Sequence, residues 1–292
     1  MLGGSLPPRR GGGKRVGRVE RWVQGFAMRA LIALLVLALP ACASGQQSIT
    51  IAGPEGLGLQ AELFLPQGSA RGPAILALHG CAGFRRRDGQ ITRLYRAWAA
   101  EFTTNGQAVL LPDSFSSRGQ GEQCTVRDSQ IRPGRERRQD AIAAATWLAA
   151  QPFAAPGGVV VMGWSHGGST ALATAAQPEA APIRAYVAMY PGCFLANRSA
   201  GWRSSAPMLL LIGEADNWTR AEYCRELAGR NGEMVTFRSY PGAHHGFDAP
   251  DTPLTERMGL NTPTGRATYG TDHAARRDAL AMVRAFIAAQ PR

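Results

Sequence analysis

The stretch Gly-Trp-Ser-His-Gly-Gly at residues 163–168 decides how this 292-residue chain is interpreted. It follows the β-forming run 159–162 and precedes small residues, 169–176, that suit a helix. A G-x-S-x-G pattern between a strand and a helix places its serine on a turn too sharp for larger flanking side chains. Ser165 is therefore a candidate nucleophile, and the helix N-terminus behind it favours developing negative charge. The alternative is an ordinary glycine turn between a strand and a helix.

Apolar runs and helical patterns alternate on both sides of this turn. Strands are expected at 48–52, 57–65, 73–78, 108–111, 159–162, 183–190, 208–212 and 234–240, the first two as a hairpin at a sheet edge. Helices are expected at 91–103, 135–150, 169–176, 220–229 and 276–289. This alternation predicts an α/β fold with a mostly parallel sheet covered by helices on both faces. Residues 44–292 are expected to form one domain, although segments 113–132 and 248–272 show no regular pattern.

A serine nucleophile needs a base, and the base needs an orienting acid. Ligands bind at the carboxyl ends of the strands in open α/β sheets, so both groups should follow strands. The seventh expected strand runs into Glu214 and Asp216, and the eighth is followed by His244 and His245. The resulting order of serine, acid and histidine is one that serine hydrolases of this architecture use.

The choice within each pair rests on the local sequence. We favour His245 over His244, because Gly246 leaves room for a sharp loop that returns to the serine. The other histidines are expected to brace a loop, to point away from the serine, or to face solvent; they are His79, His166 and His273.

For the acid, Asp216 is favoured over Glu214 because it lies further past the strand and beside the turn. Asp248 is too near His245 in sequence to be the first choice.

An oxyanion formed by attack of the serine needs two backbone N–H donors. One is expected from His166, the residue after the nucleophile. The other is expected from the loop after the third strand, where we favour the amide of Cys81.

Four cysteines follow residue 43, and an even number in an exported protein favours two disulfides. Three pairings are open, and four buried free thiols are the alternative. We favour Cys81–Cys124 and Cys193–Cys224, because the segments that carry each pair should meet at the same end of the sheet. The spacings do not resemble a zinc site, and no metal or other cofactor is expected.

The N-terminal region has the pattern of a secretory signal peptide. Arg29 precedes the apolar run 30–39, which is too short to span a bilayer, and Ala-Cys-Ala at 41–43 follows. Met28 is then the expected start, with residues 1–27 an over-extended reading frame. Cys42 lies in a sequence that resembles a lipoprotein box, so lipid anchoring is the alternative to simple secretion.

The formal charge of +11 does not indicate nucleic-acid binding. Residues 1–43 contribute seven basic residues and one acid, and no basic block with interleaved aromatic residues appears elsewhere.

Five motifs in register give the chain a resemblance over roughly residues 48–290: LHGCAG (78–83), PDSFSSRG (112–119), GWSHGG (163–168), GEADNWT (213–219) and YPGAHHGFD (240–248). Together they resemble the dienelactone hydrolase family of α/β-hydrolases. The resemblance implies the α/β-hydrolase fold and hydrolysis of carboxylic esters or lactones through Ser165, Asp216 and His245. Dienelactone hydrolases that name the family use cysteine as nucleophile, so the serine here favours a general esterase.

The expected function is therefore that of a secreted serine hydrolase of small ester or lactone substrates. Arg118 would lie near the pocket, where it either holds a substrate carboxylate or braces its own loop. The alternatives are a peptidase or acyltransferase on the same fold, or a non-catalytic periplasmic binding protein.

Overall fold

The computed structural model describes residues 45–176 and 181–290, which are built around an eight-stranded sheet. The strands are β1 (Gly45–Ala52), β2 (Gly58–Leu65), β3 (Ile75–Leu78), β4 (Val109–Pro112), β5 (Val159–Trp164), β6 (Ile183–Met189), β7 (Met208–Gly213) and β8 (Val235–Tyr240). Their order across the sheet is β1-β2-β4-β3-β5-β6-β7-β8. Strands β3 to β8 run parallel, and β1 and β2 add an antiparallel edge. The predicted α/β fold with an edge hairpin is confirmed.

Helices lie in the connections between the parallel strands and after the last of these strands. They are α1 (Arg93–Thr104), α2 (Glu136–Ala149), α3 (His166–Ala175), α4 (Phe194–Arg198), α5 (Ala221–Gly229) and α6 (His273–Ala288). The last helix begins where the Asp272 carboxylate accepts hydrogen bonds from two backbone N–H groups of its first turn. It buries one stripe of apolar side chains at four-residue spacing, Ala275, Ala279, Val283 and Ile287.

Burial explains why the central strands consist of continuous apolar runs. Every residue of β3, β4, β5 and β7 is buried, because helices cover both faces of the sheet. A two-residue alternation would leave polar groups in this core. Most of the buried apolar residues belong to one hydrophobic cluster that extends from Ile51 on β1 to Ile287 on α6.

A small hairpin follows the main sheet, in a segment where the sequence showed no regular pattern. It consists of β9 (Thr255–Met258) and β10 (Arg266–Tyr269), paired antiparallel. All four residues of β9 are exposed, so no alternation of apolar and polar residues could reveal it. Asn261, between the two strands, donates from its backbone N–H to the carbonyl of Cys124 at 2.8 Å. The hairpin is thereby tied to the loop that follows β4.

The predicted signal peptide, the start at Met28 and the lipoprotein cysteine Cys42 lie outside the described residues. Within the described ranges, no helix has the length and apolar character needed to cross a bilayer.

Candidate active site

The sharp turn between β5 and α3 presents Ser165 at the carboxyl end of the sheet. Ser165 has φ +54°, a backbone conformation that residues other than glycine rarely adopt. A Cβ atom on Gly163 would lie 2.1 Å from the carbonyl oxygen of Gly167, and one on Gly167 would lie 1.9 Å from that of Leu78. Both glycines of the motif are therefore required by close packing of α3 against the turn and β3.

His245 reaches the serine from the loop after β8. Its Nε2 lies 2.9 Å from the Ser165 Oγ, and the histidine is only 2% exposed. Gly246 turns this loop sharply, with φ +70°, and a Cβ there would overlap the Tyr269 ring at 2.1 Å. The glycine that guided the choice of His245 thus has a steric role in the return of the chain.

Asp216 lies behind the imidazole ring, with its Oδ2 2.7 Å from the His245 Nδ1. Its Oδ1 accepts hydrogen bonds from the backbone N–H groups of Trp218 and Thr219, both at 2.8 Å. The Thr219 hydroxyl donates to the Asp216 Oδ2 at 2.9 Å. These hydrogen bonds fix the orientation of the carboxylate toward the ring.

The structure thus joins Ser165, His245 and Asp216 in one hydrogen-bonded chain, and it leaves the competing residues outside. Glu214 is exposed and forms an ion pair with Arg225 at 3.1 Å. His244 has a buried Nδ1 without a hydrogen-bond partner among the described residues.

The loop after β3 lies beside the nucleophile. A Cβ on Gly80 would be 3.6 Å from the Cβ of Ser165, and the Gly80 N–H donates to the Tyr95 hydroxyl at 2.8 Å. Within the described part of the chain, the backbone N–H groups of Cys81 and His166 donate to no other group. His166 follows Ser165 in the chain and Cys81 lines the same cavity as the serine, so these two amides could donate hydrogen bonds to an oxyanion.

The side chain of His166 points away from the serine hydroxyl, as expected, and meets a buried arginine. The Arg137 Nη1 lies 2.7 Å from the His166 Nδ1, so the neutral imidazole accepts this hydrogen bond. Burial and the Arg137 charge hold the pKa values of His166 and His79 well below the ordinary value. The His79 Nδ1 lies 2.8 Å from the Gly80 carbonyl, which braces the loop before Cys81.

The structure has two disulfides, in the pairing that the sequence favoured. Cys81 is bonded to Cys124, and Cys193 is bonded to Cys224. The first bond ties the loop after β3 to the loop that contacts the β9–β10 hairpin. The Cys81 carbonyl also accepts a hydrogen bond from the Gln123 N–H at 2.7 Å.

Arg118 does not reach the pocket. Its two terminal nitrogens each bind one oxygen of the buried Asp140 carboxylate at 2.7 Å, and Nη1 also donates to the Ser114 carbonyl. This bidentate ion pair braces the loop after β4, which was the alternative to substrate binding.

A cavity of about 330 Å³ opens above Ser165 and His245. Aromatic side chains form much of its wall, namely Tyr95, Trp164, Tyr190, Trp218 and Tyr269. The Trp218 and Tyr190 rings lie 4.7 and 4.6 Å from the His245 ring. Two larger clefts, of about 760 and 810 Å³, contain none of the candidate catalytic residues.

Three arginines line the same cavity. Arg86 and Arg93 form ion pairs with nearby aspartates. Arg257 on β9 lies with its guanidinium 4.4 Å from the centre of the Tyr269 ring, and it has no carboxylate partner among the described residues. Sequence reasoning missed Arg257 because the hairpin carrying it was not predicted.

Three other residues of the site were also missed or set aside. Thr219 binds the Asp216 carboxylate, Tyr190 packs against His245, and Asp248 binds the Tyr190 hydroxyl. Each follows the end of a strand, which is the one signal that could have pointed to them. Among the described residues, no group of three or more His, Cys, Asp or Glu side chains could hold a metal ion.

The parallel sheet and a serine on the turn after β5 define the class: the protein is an α/β-hydrolase by fold. A family model, the dienelactone hydrolase family, matches residues 59–290. The chain therefore belongs to the dienelactone hydrolase family.

Solved structures of other proteins support the fold assignment. A candidate dienelactone hydrolase from Klebsiella pneumoniae subsp. pneumoniae MGH 78578 is 16% identical, with a TM-score of 0.63 over 84% of this chain and 98% of that one. The dienelactone hydrolase-like promiscuous phosphotriesterase P91, from metagenomic libraries, is 19% identical, with a TM-score of 0.61 over 85% and 100%. Esterase 2 of Thermogutta terrifontis, solved after phosphorylation by paraoxon, is 18% identical, with a TM-score of 0.58 over 83% and 93%. A search among curated protein sequences gave no match.

Proposed function

We propose that this protein is an exported serine hydrolase that cleaves small carboxylic esters or lactones. The observation that carries the proposal is the pair of contacts at His245, 2.9 Å to the Ser165 Oγ and 2.7 Å to the Asp216 Oδ2. Membership of the dienelactone hydrolase family supports a hydrolase. The cavity of about 330 Å³ is near the small end of ligand pockets, which favours small substrates over peptides.

Acylation begins when the Ser165 Oγ attacks the carbonyl carbon of the ester while the His245 Nε2 takes the hydroxyl proton. Asp216 holds the ring with Nδ1–H toward itself and stabilises the imidazolium that forms. The carbonyl oxygen becomes an oxyanion and accepts hydrogen bonds from the N–H groups of Cys81 and His166. The His245 Nε2 then returns the proton to the leaving alcohol oxygen, and an acyl-enzyme remains.

Deacylation repeats these steps with water. The His245 Nε2 takes a proton from a water molecule, whose oxygen attacks the acyl carbon. The second oxyanion collapses as the Ser165 oxygen leaves and regains its proton from His245. With a lactone, the alcohol and the acid stay in one product molecule.

A substrate with a carboxylate group would be complementary to the charge of the cavity. Arg257 presents a guanidinium at the rim without a carboxylate partner among the described residues. In this proposal Arg257 holds the substrate carboxylate, which was one of the two alternatives for Arg118.

Hydrolysis of short p-nitrophenyl esters tests the proposal. The wild-type protein should hydrolyse them, and Ser165→Ala should reduce kcat/KM by about 10⁴-fold or more. Ser199→Ala is the matched control, because this serine is exposed and distant in sequence from the turn. Full activity in Ser165→Ala, or no activity in the wild-type protein toward any ester, would refute the proposal.

Export belongs to the same proposal and is supported by the two disulfides, which form in oxidising compartments. Cell fractionation should place the protein outside the cytoplasm, with a mature N-terminus near residue 44. If Cys42 is instead lipidated, metabolic labelling with palmitate should mark the wild-type protein and not Cys42→Ala. An uncleaved cytoplasmic protein would contradict export.

A further inference from the structure

A buried carboxylate that the proposed chemistry does not use lies directly behind the candidate active site. Asp248 is 0% exposed and follows His245 by three residues. Its Oδ2 accepts hydrogen bonds from the indole N–H groups of Trp98 at 2.8 Å and Trp164 at 2.9 Å. Its Oδ1 accepts the hydroxyl proton of Tyr190 at 2.7 Å. The three donors come from α1, the end of β5 and the residue after β6.

Two of these donors adjoin the candidate catalytic side chains. Trp164 directly precedes Ser165 in the chain. The Tyr190 ring packs edge-on against the His245 ring, with centroids 4.6 Å apart. The Thr219 Oγ1, which donates its one proton to the candidate acid, also lies 3.0 Å from the Tyr190 carbonyl oxygen. One carboxylate is therefore linked to the surroundings of the nucleophile, the base and the acid.

The backbone of Tyr190 shows that its position is imposed by its surroundings. Its φ is +37°, in the left-handed region that favours glycine. A hydrogen bond of 2.6 Å from its N–H to the Leu211 carbonyl and the hydroxyl bond to Asp248 hold it there. Strained residues of this kind cluster at functional sites, where neighbouring groups fix them.

The three hydrogen-bond donors around Asp248 favour its ionised form. An indole N–H can only donate, and two of them point at the same oxygen. An ionised carboxylate satisfies all three donors. Burial raises the pKa of Asp248, and the three hydrogen bonds act in the opposite direction.

We propose that Asp248 is a positioning residue: its carboxylate holds Trp164 and Tyr190, and through them it keeps the Ser165 turn and the His245 ring in the reactive arrangement. The proposal rests on the proposed function. A loosened ring or turn would reduce the fraction of enzyme in which the Ser165 Oγ and the His245 Nε2 are in contact. Because substrate binding does not depend on that contact, kcat should fall more than KM changes.

Tyr190→Phe is the sharpest test, because it removes one hydroxyl and keeps the ring against His245. We expect kcat for a short p-nitrophenyl ester to fall about 10- to 100-fold, with KM changed less than about twofold. Tyr186→Phe is the matched control, since Tyr186 is buried on β6, the strand that precedes Tyr190, and its hydroxyl does not bind Asp248. The control should keep the wild-type kcat.

Two variants of the carboxylate extend the test. Asp248→Ala should reduce kcat at least as much as Tyr190→Phe. Asp248→Asn should retain most of the wild-type kcat. Its amide oxygen can accept hydrogen bonds from both indole N–H groups, while its NH₂ donates to the Tyr190 oxygen. Should Asp248→Ala fail to fold, Tyr190→Phe and Asp248→Asn still decide the matter.

The outcomes separate this inference from the proposed function. If Ser165→Ala is inactive while Tyr190→Phe retains the wild-type kcat, the role of Asp248 is refuted and the hydrolase proposal stands. If Ser165→Ala retains activity, the hydrolase proposal itself fails. If kcat falls as much in Tyr186→Phe as in Tyr190→Phe, Asp248 contributes only to general packing and the inference is refuted.

Discussion

At the scale of single residues, the reactivity of Ser165 depends on a backbone conformation that few side chains tolerate. The positive φ of this residue lifts its hydroxyl clear of β5 and into reach of the His245 Nε2. A serine in ordinary strand geometry would point out of one face of the sheet, toward the helices that cover it. The reactivity of Ser165 therefore depends on the turn and on His245 together.

Residues of the site could be predicted from the sequence where they come shortly after a strand and their role does not depend on distant contacts. The serine, the acid and the histidine could be proposed from sequence because each comes a few residues after an apolar run. Asp248 was considered only as a rival acid. Its three donors are 58, 84 and 150 residues away in the chain, and no local pattern reports such contacts.

Arg257 provides a prediction about substrate charge. In Arg257→Gln, KM for an ester with a free carboxylate should rise about fivefold, since a partly solvated ion pair is lost. KM for a neutral ester of similar size should stay the same. Arg266→Gln on β10 is the control, because Arg266 does not line the cavity. Equal KM values for the charged ester in wild type and Arg257→Gln would contradict the assignment.

At the scale of elements, the close approach of α3 to β3 sets where the nucleophile sits. The contact depends on Gly167, whose missing side chain allows the helix to lie against the Leu78 carbonyl. The helix start then supplies the His166 amide beside the serine. Gly167 is therefore needed for the packing of α3 on β3 and, through that packing, for the position of the His166 amide.

Gly167→Ala should lower the free energy of unfolding by about 3 kcal/mol or more, because its Cβ would overlap backbone atoms that cannot move aside. Urea unfolding followed by fluorescence measures this change. Gly134→Ala is the control, since the nearest atom to its Cβ would be 4.0 Å away, on Ala173. A Gly167→Ala protein as stable as wild type would show that α3 can shift without cost.

The elements also show which parts of the fold were accessible from sequence. Strands buried on both faces are continuous apolar runs and were predicted within a few residues, as for β5 and β7. The β9–β10 hairpin was missed because both strands are short, β9 is fully exposed, and the two strands pair mainly with each other. Its position over the cavity depends on contacts with distant residues, including the bridge between His245 and Tyr269.

At the scale of the whole molecule, two buried neutral histidines couple stability to pH. Burial and then the charge of Arg137 lower the pKa values of His79 and His166 well below the ordinary 6.5. Both take up protons in the unfolded chain as the pH falls below about 6.5, while the folded protein keeps them neutral. Their contribution to stability is present above that pH and is lost below it.

The free energy of unfolding should therefore fall between pH 7.5 and 5.5, by up to about 1.4 kcal/mol per pH unit for each histidine below its unfolded pKa. The double variant His79→Gln/His166→Gln should flatten this slope, and His273→Gln, on the exposed start of α6, should not. Burial raises the pKa of Asp248, so this carboxyl opposes the trend once the pH approaches its titration range. A slope in the double variant equal to that of wild type would contradict the account.

The central claim is that Ser165 is a nucleophile activated by His245, and covalent labelling tests it most directly. The protein is treated with a fluorophosphonate, digested, and analysed by mass spectrometry to locate the adduct. We predict one adduct per chain on the peptide that contains Ser165, with labelling abolished in Ser165→Ala and slowed by about 10³-fold or more in His245→Gln. An adduct at another residue, or labelling that persists unchanged in Ser165→Ala, would contradict the claim.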